Sequence, residues 1–561
     1  MAPLLRAAVC ALLLCITSTG VAALPRITRT GRYLYSQDGT RFIIKGVAYQ
    51  APGAHRTTYH SRVLVVTDIL ADPTACTRDL PMLRALGVNT IRTYQVDSNA
   101  NHDGCMQMLE DAGIYVILDL ALPLTGSIDS NQPTWTTDLL DQYIRTINTF
   151  SKYNNILAFE ARGTRLSNRT QLHLLHSSKP PRGINSISSS ALVSYAAVDQ
   201  SSPALLAQYL SCDPSGTGSG SASIDLFGLN NYEWCNDAPA STYDGTNAAM
   251  KDYNVAAYFS EYGSEECKPS ARIWTEVPTL FSPSMTEIWS GGVAYSYLPA
   301  ADQGLQYGMI VLSSDNKTVS RTPDFDNLVA QYAKVDLGSL NSPAQSSVKP
   351  TAFGTCPGPS ANLTASTKLP PTPDDAVCGC VPAKLSCVYN VGDVGELFKT
   401  VCDPEHLDCK DINGDGAKGT YGPMSMCDPK TRLSYVLSEY YDANRATQPQ
   451  AACDWSGGAK LNVQLGSAGL PAAAALAACP NKAHALGAAF TPTAPAGAAT
   501  AVKNSPTDTS VPSGASHAPA ASSSSSTSAG GSTSTGRATG LGPRPDDLLL
   551  IGVLLASGIL R

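Results

Sequence analysis

The chain has 561 residues, 43% hydrophobic and only 15% charged, with 46 acids against 39 Lys and Arg and a formal net charge of −7. That is apolar enough for a core and too lightly charged for a disordered or coiled-coil chain, and the lack of a basic arm argues against nucleic acid as a partner. Sixteen cysteines without a zinc-type pair of CxxC motifs point to disulfides and an oxidising compartment, which excludes a cytosolic metabolic enzyme and a DNA-binding factor.

Residues 1–22 carry one early positive charge (Arg6), an apolar run and a small-residue exit at Ser18, Gly20 and Ala22. This is the pattern of a secretory signal peptide, and the run is too short to span a bilayer. Cys10 and Cys15 leave with it, so an even number of cysteines remains. From 24 to 340, apolar runs recur at 41–49, 90–96, 115–120, 156–159, 192–197, 225–232, 255–262 and 292–297, spaced for intervening helices. Near-continuous apolar runs suit parallel strands buried on both faces. About eight of them predict an α/β fold, a (β/α)8 TIM barrel.

Residues 341–374 are rich in Pro, Ser and Thr and read as a stiff linker. Residues 375–482 hold Cys378, Cys380, Cys387, Cys402, Cys409, Cys427, Cys453 and Cys479, the signature of a small disulfide-stapled module. Within it, Asp411-Ile-Asn413-Gly-Asp415-Gly416 starts like a calcium loop, but the twelfth position is Gly422 where a bidentate Glu is needed, so a turn is expected. Residues 483–540 are rich in Ser, Thr and Ala and read as an O-glycosylated, disordered stalk. Residues 541–561 end in an apolar run at 548–560 and read as a GPI-attachment tail, with the attachment residue expected within 528–536. Arg544, Asp546, Asp547 and Arg561 depart from that pattern; the alternative is a weak tail that leaves the protein secreted.

Glycoside chemistry by retention needs two carboxylates, one as nucleophile and one as acid/base. In a (β/α)8 barrel they belong at the C-terminal ends of strands. Glu261 fits the first role, closing an apolar strand in Phe259-Ser-Glu-Tyr-Gly263. That motif, with Phe227-Gly-Leu-Asn-Asn-Tyr-Glu-Trp-Cys235, Ile44-Lys-Gly-Val-Ala-Tyr-Gln50, Ile91-Arg-Thr-Tyr94 and Trp289-Ser-Gly-Gly-Val-Ala-Tyr-Ser-Tyr297, resembles the fungal cell-wall β-1,3-glucanosyltransferases, glycoside hydrolase family 72. Gly419-Thr-Tyr-Gly-Pro-Met-Ser-Met-Cys427 and Leu433-Ser-Tyr-Val-Leu437 are similar to the carbohydrate-binding module, of family 43 type, often attached to it.

The resemblance implies that Glu261 attacks the anomeric carbon of an internal β-1,3 linkage, and that the non-reducing end of another glucan accepts the glycosyl group. It implies that Tyr94, Asp119, Tyr232 and Tyr295 contact substrate, with Asp119 opening a contact segment that runs to Ile128. It also implies the disulfides Cys76–Cys105, Cys212–Cys356 and Cys235–Cys267. The partners it implies are β-1,3-glucan and, through a GPI anchor, the outer face of the plasma membrane and the wall. No cofactor is called for, because carboxylates and the sugar supply the chemistry. His173 and His176, three apart among Leu and Ser, do not make a metal site. Asn168, Asn316 and Asn362 lie in glycosylation sequons.

One feature of the family is missing. Its acid/base is a Glu after Asn in a Phe-Phe-Ala-Gly-Asn-Glu-Val-like stretch ending the fourth strand, whereas this chain reads Phe159-Glu-Ala-Arg-Gly-Thr-Arg-Leu166. From 161 to 198 there is no acid, while Arg162, Arg165, Arg169, Lys179 and Arg182 are basic. One codon choice that the genetic code permits for Ala161 to Leu166, GCG CGG GGA ACG AGG TTN, reads from its third base as Ala-Gly-Asn-Glu-Val. The expectation is a reading-frame displacement over 160–190, and transcript sequencing that returns an uninterrupted frame there sinks it. Glu160, which also follows a strand, is the remaining acid/base candidate, about five residues early, where even a 1 Å misplacement costs roughly 10²-fold. The alternative is a catalytically inactive glucan-binding wall protein.

Overall fold

The computed structural model describes residues 23–51, 67–120, 135–161, 191–198 and 203–479, with short breaks at 215, 217, 219–222, 268–270, 303–304, 341, 361, 364, 369, 372 and 463–468. The expected signal peptide, stalk and GPI tail lie outside the described residues. So do His173, His176, Asn168, the segment from 121 to Ile128 and nearly all of the suspected frame window.

Eight parallel strands close into a barrel in sequence order: β1 (Ile44–Ala48), β2 (Thr90–Thr93), β3 (Tyr115–Asp119), β4 (Ile156–Glu160), β5 (Leu192–Val198), β6 (Leu226–Asn230), β7 (Ala256–Tyr262) and β8 (Gly291–Ala294). Pairing of Gly291 with Ile44 joins β8 back to β1. The expected (β/α)8 fold and all eight strands are present. The ends differ by a few residues: Arg41–Phe42, read as the start of the first strand, pairs instead with Leu34 and Tyr35 in a small antiparallel sheet.

Strand alternation builds two cores. In β3, Tyr115 and Ile117 join the lumen cluster with Ile44, Leu157, Leu226, Tyr258 and Val293. Val116 and Leu118 face the other way, into the layer between barrel and helices. That layer is completed by amphipathic helices such as Thr137–Phe150, which buries Leu139, Leu140, Tyr143, Ile144, Ile147 and Phe150. Helix Pro73–Leu86 shows local sequence control: the Asp72 carboxylate accepts from the N–H groups of Thr74 and Ala75, Pro73 opens the first turn, and Gly87 ends it left-handed. The N-terminal end of the barrel is plugged. Ile27 and Leu34 enter the lumen cluster, and the Tyr115 hydroxyl donates to the Pro25 carbonyl at 2.5 Å.

The stretch from 342 to 374 is packed onto the barrel. Cys356 is bonded to Cys212, Leu363 and Ala365 are buried in the barrel–helix core, and Tyr209 donates to the Ser366 carbonyl at 2.7 Å. A Pro/Ser/Thr composition leaves the backbone stiff and polar, but isolated apolar residues and one disulfide hold it down.

The Cys-rich unit follows, with helices Asp375–Lys384, Val394–Val401 and Pro429–Asn444 and a strand pair, Cys387–Tyr389 with Ala459–Leu461. Its disulfides are Cys378–Cys427, Cys380–Cys479, Cys387–Cys453 and Cys402–Cys409. It abuts the barrel where the Thr137 N–H donates to the Met426 carbonyl at 3.0 Å. The calcium-like loop is a hairpin, Gly414–Asp415 with Thr420–Tyr421, in which the Gly422 N–H donates to the Asn413 carbonyl at 2.8 Å.

Candidate active site

The C-terminal ends of the barrel strands converge on one arginine. Arg92 alternates into the lumen from β2 and has no exposed surface. Its Nη1 lies 3.0 Å from Glu261 Oε1, and its Nη2 lies 3.3 Å from Asp119 Oδ2 and 2.5 Å from Glu160 Oε1. Carboxylates from β3, β4 and β7 thus share one guanidinium. Burial works against the Arg92 cation, but Asp119 and Glu160 outweigh it and hold the group firmly charged.

Glu261 reaches this cluster through a bulge. Along β7, Ala256 and Tyr258 face the lumen while Ala257 and Phe259 face the helices. Strict alternation would then turn Glu261 outward. The pairing with β6 slips instead: Phe259 pairs with Leu229, and Glu261 pairs with the very next residue, Asn230. Two residues against one make a β-bulge, which resets the side-chain direction. Gly263 follows with φ 108°, and a Cβ there would run into the Trp274 ring, so the turn after Glu261 requires glycine.

The Glu261 carboxylate is 6% exposed and is held by three donors. Oε1 accepts from Arg92 and, at 2.9 Å, from the Tyr94 hydroxyl; Oε2 accepts from the Tyr232 hydroxyl at 2.9 Å. Burial raises its pKa, and Arg92, Tyr94 and Tyr232 oppose that rise by stabilising the anion. The outcome is a buried, oriented, basic carboxylate, the properties a nucleophile needs. Around it stand rings: Tyr94 edge-on to Tyr295 at 6.2 Å, Tyr295 edge-on to Tyr307 at 5.2 Å, and Tyr307 beside Tyr232 at 6.0 Å. Gln50 donates to the Tyr295 hydroxyl at 3.3 Å. Arg272, buried behind this wall, donates to the carbonyls of Tyr295 and Tyr307 and is paired with Asp324 at 2.7 Å. Aromatic faces edged by hydroxyls suit a ligand with apolar faces and a polar rim, which is the chemistry of a sugar.

Asp119 ends β3 with its carboxyl 4% exposed. Burial drives its pKa well up; Arg92 opposes the rise and Glu160 adds to it. Glu160 sits deeper, with no exposed surface. Its Oε2 accepts from Tyr258 at 2.8 Å and Ser194 at 3.0 Å, and its Oε1 faces Arg92. A general acid has to reach the oxygen it protonates, and a side chain sealed beneath Arg92 is poorly disposed to do so. The sequence motif contained Arg92 in Ile91-Arg-Thr-Tyr94, but its role was not read there; an arginine inside an apolar strand was the available signal. Tyr258, Ser194 and Tyr307 carried no such signal. The three barrel disulfides join Cys76 to Cys105, Cys212 to Cys356 and Cys235 to Cys267, the pairs the resemblance implied.

Comparison with known proteins follows the same lines. The family described as Glucanosyltransferase matches residues 17–336, and the X8 domain matches residues 380–460. The chain is 37% identical over 445 residues to the 1,3-beta-glucanosyltransferase gas1 of Schizosaccharomyces pombe, covering 77% of this chain and 78% of that protein. It is 36% identical to pH-responsive protein 2 of Candida albicans, covering 80% of each. Among solved structures it is similar to Saccharomyces cerevisiae Gas2p in complex with laminaritetraose and laminaripentaose, at a TM-score of 0.68 and 30% identity, over 81% of this chain and 98% of that one.

Proposed function

The chain belongs to the glucanosyltransferase family, and from that premise we propose how its own residues perform the transfer. It is a transglycosylating enzyme of the 1,3-beta-glucanosyltransferase class, and the laminari-oligosaccharides bound by its relative point to β-1,3-glucan as its substrate. Glu261 attacks the anomeric carbon and forms a covalent glycosyl-enzyme while the leaving chain departs with a proton. The non-reducing end of a second glucan then takes the sugar, so wall chains grow without a nucleotide donor. The observation that carries this reading is the Glu261 carboxylate, held by Arg92, Tyr94 and Tyr232 within a ring of tyrosines.

Tyr94, Asp119, Tyr232 and Tyr295 are the substrate-contacting residues of this reading. The proton donor of this reading is the Glu of an Asn-Glu pair after β4, which a frame shift following Glu160 would restore under the codon choice above. We further propose a catalytic unit over 24–340, a glucan-binding module over 375–482, and an extracellular, wall-facing location with a GPI anchor formed from the C-terminal tail.

The test incubates two forms with reduced laminari-oligosaccharides: the chain as written, and one carrying the restored frame after Glu160, through 190. Products longer than the substrate from the restored form support transfer. The chain as written, lacking the donor, falls short of it by roughly 10²–10⁴-fold. Unchanged substrate with retained binding in both forms would overturn the reading in favour of a glucan-binding wall protein.

A further inference from the structure

The site holds more negative charge than the reaction explains. Asp119, Glu160 and Glu261 surround Arg92, and none is more than 6% exposed. Three carboxyls on one cation would leave a buried net negative charge if all were ionised, and burial together with Glu160 pushes Asp119 toward its protonated form. The donors are unevenly shared. Glu261 has two tyrosine hydroxyls and Glu160 has Tyr258 and Ser194, while Asp119 has the Arg92 Nε and Nη2 at 3.3 Å. Glu160 also makes the shortest contact to the guanidinium, 2.5 Å against 3.0 Å for Glu261. Yet it is sealed from the reacting sugar, so its position demands another explanation.

We propose that Glu160 is a positioning residue for Glu261, acting through Arg92: it takes up guanidinium charge from below, fixes the fork toward β7, and leaves the nucleophile more basic than a full pairing with Arg92 would. This rests on the reading of Glu261 as nucleophile. The geometry gives the sign. Remove the Glu160 charge and Arg92 turns its whole field on Asp119 and Glu261. Both carboxyls then ionise at lower pH, and Glu261 becomes the weaker nucleophile. Burial, the dominant influence raising the Glu261 and Asp119 carboxyls, is unchanged by the substitution.

The experiment uses a donor that needs no acid catalyst: a β-laminaribiosyl fluoride carrying fluorine at C2. Glu261 attacks C1, the C1–F bond breaks, and fluoride leaves with the electron pair, so the step reports the nucleophile alone. The adduct is followed by intact mass across pH for the full chain and for Glu160→Gln, Glu160→Met and Glu160→Asp. In Glu160→Gln and Glu160→Met the acidic limb of labelling moves to lower pH by about one unit; Glu160→Met covers the case where Glu160→Gln does not fold. Glu160→Asp keeps the charge and returns the limb toward that of the unmodified chain. A side chain needed only for packing would lower the amount of folded protein and leave the limb in place. Limbs of the Gln and Met variants that superimpose on the parent would overturn the proposal while labelling of Glu261 stands. No labelling of the parent would overturn the nucleophile reading and this inference with it.

Discussion

Strands β4 and β7 both end in an apolar run that closes on a glutamate, and the two glutamates have opposite surroundings. Past an irregularity of its own, where Val116 pairs with Ile156 and Ile117 with Ala158, β4 turns Phe159 to the helix side and Glu160 into the lumen at the level of Asp119, its register partner. Glu261 breaks alternation through the bulge against Leu229 and Asn230 and comes up among tyrosines. Both touch the same arginine. The lesson is that a strand-end carboxylate in a barrel is assigned by its depth and its neighbours, not by residue type: Glu160 lies fully buried against Tyr258 and Ser194, whereas Glu261 lies among the tyrosines of the mouth.

The largest test of that contrast is charge removal at each end. Glu261→Gln abolishes fluoride-donor labelling and lowers transfer by roughly 10⁴-fold or more, as loss of a covalent nucleophile does. Glu160→Gln keeps the adduct. Intact mass and product length check both, and an adduct persisting in Glu261→Gln breaks the comparison.

Next comes the shared cation. Arg92→Met strips the ion pair from three buried carboxylates, and stability falls by about 3–5 kcal/mol at neutral pH. The loss has a pH sign. The Asp119 and Glu261 carboxyls are already pushed up by burial, and Arg92 is what opposes the rise. Without it the folded state binds still more protons than the unfolded chain above the ordinary carboxylate range of about 4. Stability of the variant therefore declines as pH rises from about 4 toward neutrality and recovers on acidification. Denaturant unfolding at a series of pH values measures it; a deficit that is independent of pH counts against the charge cluster.

Most of the scaffold was legible beforehand because strands buried on both faces leave continuous apolar runs, such as Tyr115–Asp119 and Ala256–Tyr262. Glu261, Tyr94, Tyr232 and Tyr295 were legible through family motifs. The Arg92 cluster was not, because its partners lie 27 to 169 residues away and no local spacing encodes them. The bulge at Ser260 was equally silent: in sequence, Ser-Glu-Tyr looks like plain continuation. The packed stretch holding Leu363 and Ala365 was hidden by its Pro/Ser/Thr composition, in which lone apolar residues do not register as core.

The tyrosines give a smaller effect with a sharper direction. Tyr94→Phe and Tyr232→Phe each remove a hydrogen bond to the charged Glu261, which costs the folded protein about 1.5–3 kcal/mol. Each donor stabilises the anion, so its removal moves the acidic limb of labelling to higher pH, opposite to Glu160→Gln. Limbs that move the same way in both sets would mean that hydrogen bonds and Arg92 do not compete at Glu261.

The smallest expected change lies at the deep end. Ser194→Ala removes one donor to Glu160 Oε2, but Tyr258 still donates to the same oxygen at 2.8 Å. The carboxylate stays satisfied and stays against Arg92, so the cost is that of a single net hydrogen bond, about 1 kcal/mol. The labelling limb stays in place, because the charge facing the guanidinium is unaltered. Unfolding and labelling on this one variant thus separate stability from charge: a limb that moves with Ser194→Ala would show that the fine position of Glu160, rather than its charge, sets the basicity of Glu261.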